Sequence, residues 1–348
     1  MKNQQVSCPR YRHYVCLLTF VSLACLSVSA LLLFVQTQHY DITDIAARHG
    51  ETGHEKMARI VNYTHHPVEE RQRLMQEHIR ATCRSKGIEG AMYDKYSLYF
   101  LPKYAIFNRE HKLMFCGIPK AGVSSWKKVF LQLEGIYNGI FNSSADLHHY
   151  FVHHNDKQKY NYLRYSPYDE RKNIVDTYLK FTSTRNPFER LLSAYRQKFE
   201  EKNVFNKGFR RKFGPKISAR SRNFNSEEDT VTFPEFIDYI LHQYKSHSFP
   251  NIHWAPMHKL CHPCHINYDM VVKFETLQAD ARHLLQLANI SNIVEFPEGD
   301  THATNSSHSA KLKYYYSQLN RETIDAIYRM YEPDFILYGY GYPKELLN

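Results

Sequence analysis

Two short apolar runs, each leading into a polar loop and then a helical pattern, constrain this chain more than any other feature. The first covers 113–118 (LMFCGI), is bounded by turn chemistry and reads as a buried strand. It enters the loop PKAGVSS at 119–125, and a helix follows over 126–133. The second strand covers 178–183 and ends in Thr184, Arg185, Asn186 and Pro187, where a helix opens over 188–199. Two strand–loop–helix units predict an α/β domain with a central parallel sheet. Ligands of such sheets bind at the carboxyl ends of the strands, where both loops lie.

Further along, Thr232 and Glu235 have capping-box spacing around Pro234, predicting a helix through about Tyr244. Helices are also expected over 274–287 and 321–331, the latter stopped by Glu332-Pro333. Segments 203–230 and 297–311 lack periodicity and read as long loops. Residues 68–83 are charged and helix-permissive with little apolar stripe, which predicts a solvated spacer helix.

The amino-terminal segment sets the compartment. Residues 14–35 hold 22 residues without a charge, enough for an α-helix to cross a bilayer. Lys2, Arg10 and Arg12 precede them, and no Lys or Arg follows until Arg48. That asymmetry keeps the amino terminus cytoplasmic and sends the rest across. A cleaved signal peptide is the rival reading, but its apolar region would be shorter. The expected division is a cytoplasmic tail (1–13), a transmembrane signal anchor (14–35), a stem (36–105) and a lumenal domain (106–348).

Four cysteines, Cys83, Cys116, Cys261 and Cys264, then face an oxidising lumen, with three pairings open. Asn62, Asn142, Asn289 and Asn305 each start a glycosylation tripeptide.

The first loop gathers anion-binding devices. Backbone N–H groups near Gly122, the start of a helix, the hydroxyls of Ser124 and Ser125 and the charge of Lys120 all favour an oxyanion. The Gly-x-x-x-x-Gly-Lys-Ser/Thr spacing is absent, so a magnesium-dependent NTPase fits poorly. In the second unit, Arg185 can fork onto a phosphate and Ser193, two helical turns on, can add a hydroxyl. A nucleotide with phosphates on its 5′ and 3′ sides would need such a pair of separate sites.

These two motifs resemble the 5′- and 3′-phosphosulfate-binding motifs of Golgi carbohydrate sulfotransferases. The block from His253-Trp254 through 261–281, and the ending at 334–340, resemble the branch containing chondroitin and dermatan 4-O-sulfotransferases and the GalNAc-4-O- and glucuronyl-3-O-sulfotransferases. The resemblance spans roughly 105–343 and the anchor. Val123, Ser124 and Ser125 stand where that family usually has Cys-Thr-Asn, and Asn186 where it usually has an acidic residue.

The resemblance implies a P-loop-like sulfotransferase domain that moves a sulfuryl group from 3′-phosphoadenosine 5′-phosphosulfate to a sugar hydroxyl, with no metal required. The expected acceptor is the 4-OH of GalNAc in chondroitin or dermatan. Alternatives are a glycoprotein GalNAc-4-O- or glucuronyl-3-O-sulfotransferase, or an inactive glycan-binding membrane protein. It implies donor binding by Pro119, Lys120, Ala121, Gly122, Val123, Ser124 and Ser125 on the 5′ side. On the 3′ side it implies Arg185, Asn186, Pro187, Phe188, Glu189, Arg190, Leu191, Leu192 and Ser193.

Lys120 is expected to neutralise charge as the sulfate–phosphate bridge breaks. His253 is the preferred base for the sugar proton, with His148, His149, His153 and His154 as other candidates. Cys261 and Cys264, beside His262 and His265, admit a redox or zinc site, but structural disulfides are the expectation.

The chain's formal charge of +10 is concentrated. Residues 198–222 hold nine Lys/Arg and two Glu. Arg210, Arg211 and Lys212 within that stripe are expected to grip an acidic glycan acceptor. A nucleic-acid partner is excluded by the expected compartment, Golgi membrane with a lumenal domain.

Overall fold

The computed structural model describes residues 66–86, 103–136, 149–153, 159–201, 204–219, 221, 229–248, 250–297, 309–342 and 344–346. The apolar run 14–35, Asn62, Asn142, Asn305, His148 and His154 lie outside the described residues. Among the described residues no helix is long and apolar enough to cross a membrane.

In chain order the elements are α1 (Val68–Ser85), β1 (Ala105–Asn108), β2 (Leu113–Cys116), α2 (Val123–Leu133), α3 (His149–His153) and β3 (Asn161–Tyr162). They continue with α4 (Tyr168–Thr177), β4 (Leu179–Thr184), α5 (Pro187–Tyr195), α6 (Val204–Ser218) and α7 (Phe233–Lys245). The last are α8 (Met257–Cys261), β5 (Met270–Lys273), α9 (Leu277–Leu287), α10 (Ser309–Tyr316) and α11 (Arg321–Leu337).

The strands form one sheet in the order β3-β1-β2-β4-β5. β2, β4 and β5 are parallel, as the two strand–loop–helix units require. The sheet as a whole is mixed, which corrects the expectation of a parallel one: β1 pairs antiparallel with both β2 and β3. Only residues 109–112 separate β1 from β2, with Lys112 at φ 46°, and so short a connection permits only a hairpin.

Both faces of the sheet are covered. Met114, Cys116 and Val271 lie in a core cluster with residues of α1, α5, α7 and α11. The alternating residues Leu113, Phe115, Phe181 and Val272 lie in a second cluster with residues of α2 and α9. Trp126 fills the second layer, its ring 4.5 Å from Phe181 and 4.6 Å from Phe296.

Four expectations are corrected here. First, α1 is no solvated spacer. Arg71 is buried against Asp280 at 2.7 Å. The Val271 N–H donates to Gln72 Oε1 at 2.9 Å, and Gln72 Nε2 donates back to Val271 O at 3.2 Å. One side chain thus occupies open backbone positions on edge strand β5.

Second, 204–218 is the helix α6, since Phe209, Phe213 and Ile217 recur every four residues and turn inward. Third, 309–316 is helical, burying Leu312 and Tyr316. Fourth, α11 runs through Pro333 to Leu337, because Asp334 and Phe335, both 0% exposed, are packed by continuing the turn. The Asp334 carboxylate accepts from Met257 N at 2.6 Å and His258 N at 2.8 Å, capping α8.

Two disulfides join distant segments, Cys83–Cys264 and Cys116–Cys261. The neighbouring Cys261 and Cys264 therefore have separate partners, and neither a vicinal redox pair nor a thiolate zinc site is formed.

Candidate active site

The loop after β2 tightens through a hydrogen bond from Ala121 N to Ile118 O, 3.2 Å. Lys120 stands at φ 73° and Gly122 at φ 82°, at the head of α2. The left-handed backbone at Gly122 calls for glycine, and a Cβ there would also press on Leu277 Cδ2 at 3.3 Å. Ser124 Oγ lies 2.9 Å from His153 Nε2, and Ser125 is buried in the first turn of α2. Lys120 Nζ donates to Gln197 Oε1 at 2.9 Å.

The loop after β4 lies beside it. Asn186 caps α5 by accepting from Phe188 N, with Pro187 in the first turn. Arg185 is 4% exposed, stacks 4.1 Å from the Phe274 ring, and donates from a terminal nitrogen to Lys120 O at 3.3 Å. Its Nε is 3.4 Å from Glu189 Oε2. Burial lowers the Arg185 pKa, opposed by the carboxylates of Glu189 and Glu275.

The remaining residues of the second motif divide by role in the fold. Phe188, Leu191 and Leu192 turn into the core, and Ser193 is buried on α5. Arg190 is buried too and donates to Pro119 O and Ile252 O, at 3.0 and 3.2 Å.

His253 sits where these loops meet the segment before α8. Its N–H donates to Asn251 Oδ1 at 3.0 Å, and the Phe209 ring lies 5.8 Å away. The imidazole Nδ1 is buried with no hydrogen-bond partner among the described residues. Burial holds its pKa well below the usual value, reinforced by Lys198, Lys120, Arg190 and His153. The ring is therefore neutral at physiological pH, with a nitrogen available to accept a proton.

Three contributors were not legible in the sequence as such. Gln197 and Lys198 lie in a π-helical turn, Arg196–Glu200, that continues α5. That turn delivers Gln197 to Lys120 and brings Lys198, whose pKa burial lowers, towards His253. His153 was only one of several histidine candidates, and its contact with Ser124 singles it out. The expected acceptor stripe lies on α6: Arg210 donates to Glu201 O at 2.8 Å, while Arg211 and Lys212 are exposed.

The model of the Sulfotransferase family matches residues 103–341, from before β1 to beyond α11. The chain belongs to that family. This sulfotransferase is 32% identical over 251 residues to mouse carbohydrate sulfotransferase 11, covering 70% of this chain and 69% of that one. It is also 32% identical to chicken carbohydrate sulfotransferase 10, over 82% and 79% of the two chains. Human carbohydrate sulfotransferase 9 is again 32% identical, over 79% of this chain and 61% of its own. No solved structure matches the sulfotransferase. Membership implies 3′-phosphoadenosine 5′-phosphosulfate as sulfuryl donor. The donor set fits such an anion: Lys120, Arg185 and Lys198 gather near a strand–loop–helix start whose left-handed Gly122 leaves the backbone bare.

Proposed function

We propose that this enzyme is a carbohydrate sulfotransferase transferring the sulfuryl group to a sugar hydroxyl, the 4-OH of GalNAc in chondroitin or dermatan. The observation that carries the reading is the convergence of Lys120 with a neutral, half-buried His253 beside the two anion-binding loops, Arg190 bonding the carbonyl before each. The relatives named carbohydrate sulfotransferases support a sugar acceptor. The donor supplies an activated sulfuryl group.

The chain's own groups do the rest. Lys120 offsets the negative charge that grows on the phosphate oxygen as its bond to sulfur breaks. Ser124, Ser125 and the backbone at Gly122 hold the 5′ side, with Arg185 and Ser193 on the 3′ side. His253 accepts the proton of the sugar hydroxyl as its oxygen bonds to sulfur. The exposed Arg211 and Lys212, with Arg210 beside them, face an acidic polysaccharide.

Labelled-sulfate transfer tests this directly. Lys120→Ala in a folded protein should lower kcat by ~100-fold or more, as loss of one electrostatic transition-state contact does. Normal transfer in that variant sinks the assignment. Acceptor binding should weaken steeply with salt, and more gently in Arg211→Ala/Lys212→Ala, if the acceptor is a polyanion.

The same reading places the enzyme in the Golgi membrane through residues 14–35, with the domain lumenal. Two disulfides and an exposed Asn289 support the lumenal side. A mobility shift on glycosidase treatment that disappears in Asn289→Gln tests the topology and the sequon together.

A further inference from the structure

Arg190 connects the two halves of the site through their main chains. Its Nε donates to the carbonyl of Pro119, the residue before Lys120, at 3.0 Å. A terminal nitrogen of the same guanidinium donates to the carbonyl of Ile252, the residue before His253, at 3.2 Å. The guanidinium is planar and rigid, so its two bonds fix the separation and the angle of the carbonyls they reach. A lysine in its place offers a single mobile charge and no such fork.

The position is costly for a cation. Arg190 is 1% exposed, and its hydrogen bonds go to neutral carbonyls. Asp334, Tyr331 and Tyr338 lie close enough to favour its charged form, while burial opposes it. Retaining a full charge there is hard to explain by packing, because a buried cation is costly where an apolar group of similar shape is not.

We infer that Arg190 is the positioning residue that sets Lys120 and His253 against each other for sulfuryl transfer, by holding the carbonyl that precedes each. This rests on the roles given above to Lys120 and His253. It also moves Arg190 from donor contact to alignment, since its guanidinium is turned onto the protein's own backbone. The charge has a second use. The titratable groups facing His253 among the described residues are Lys120 from the loop after β2, Arg190 from α5, Lys198 from the π-helical turn and His153 from α3. Each disfavours a proton on the imidazole, and Arg190 is the one that also fixes where the imidazole stands.

The experiment compares Arg190→Lys and Arg190→Gln with Lys120→Ala and His253→Ala in the full-length membrane-bound enzyme. Donor KM, kcat, the pH profile of kcat and the melting temperature are measured. Misplacing reacting groups by an ångström costs ~100-fold in rate, so kcat should fall by ~10–100-fold in both Arg190 variants while donor KM stays within ~3-fold. Arg190→Lys should keep the acid limb of the pH profile in place, and Arg190→Gln should move it to higher pH.

A raised donor KM with unchanged kcat would make Arg190 a donor ligand and overturn the inference. Wild-type kinetics in both variants, or failure of both to fold, would also overturn it, the latter leaving Arg190 a core residue only. Activity surviving in Lys120→Ala or His253→Ala would instead defeat the roles assigned to those residues.

Discussion

Arg71 and Asp280, 209 residues apart in the chain, meet in a buried ion pair at 2.7 Å. Asp280 also accepts from Thr276 Oγ1 and from the Lys273 N–H, so a single carboxylate binds α1, β5 and α9 together. Asp280→Ala should therefore cost about 3–5 kcal/mol by stranding a buried guanidinium. Arg73, two residues on and turned to solvent, pairs with Glu70 and Glu77, and Arg73→Ala should leave stability close to that of the wild type. Denaturant midpoints of the two variants check this, and equal values would return α1 to the status of a spacer.

Acid should destabilise the fold through its histidines. Burial lowers the pKa of His78, His265 and His253, and takes His262 down to about 4. Well above pH 6.5 each is neutral whether folded or unfolded, and none contributes to the pH dependence. Below 6.5 the unfolded chain takes up protons that the folded chain refuses, so stability is lost by up to ~1.4 kcal/mol per pH unit for each such group. The melting temperature should drop between pH 6.5 and 5. His262→Asn, which removes one titrating group and suits the left-handed backbone at φ 46°, should shallow that drop.

Removing Cys83–Cys264 as Cys83→Ser/Cys264→Ser should cost about 2–5 kcal/mol. Before reduction, Cys83, Cys116, Cys261 and Cys264 should all resist a thiol reagent. Mass mapping that found a Cys261–Cys264 pair would contradict the architecture.

Gly208 lies within α6, and a Cβ there would meet nothing within 4 Å. Gly208→Ala should stabilise the enzyme by about 0.5–1 kcal/mol and leave transfer unchanged. A thermal melt with a parallel activity assay decides it.

What could be read in the sequence was whatever local chemistry writes there. The loop at 119–125 and the Arg185-Asn186-Pro187 turn are each set by a few consecutive residues, and Thr232 with Glu235 makes the expected capping box. The parallel part of the sheet followed from them. α6 was hidden because Gly208, Gly214, Pro215 and its basic residues dilute the stripe of Phe209, Phe213 and Ile217. α1 has the sequence of a spacer because its anchors are polar: Arg71 and Gln72 are buried by partners about 200 residues away. The π-helical turn leaves no periodic mark, and the bridge made by Arg190 exists only once three distant segments have met.

The two disulfides are nested, Cys116–Cys261 lying within the ring closed by Cys83–Cys264. The donor loop, Arg185, Arg190, Gln197 and His253 all fall inside the inner ring. A protease cutting the chain once anywhere between 117 and 260 would leave two fragments joined by both bridges. Such a nicked enzyme would run as one band without reductant and as two with it, and its site would stay tethered across the break.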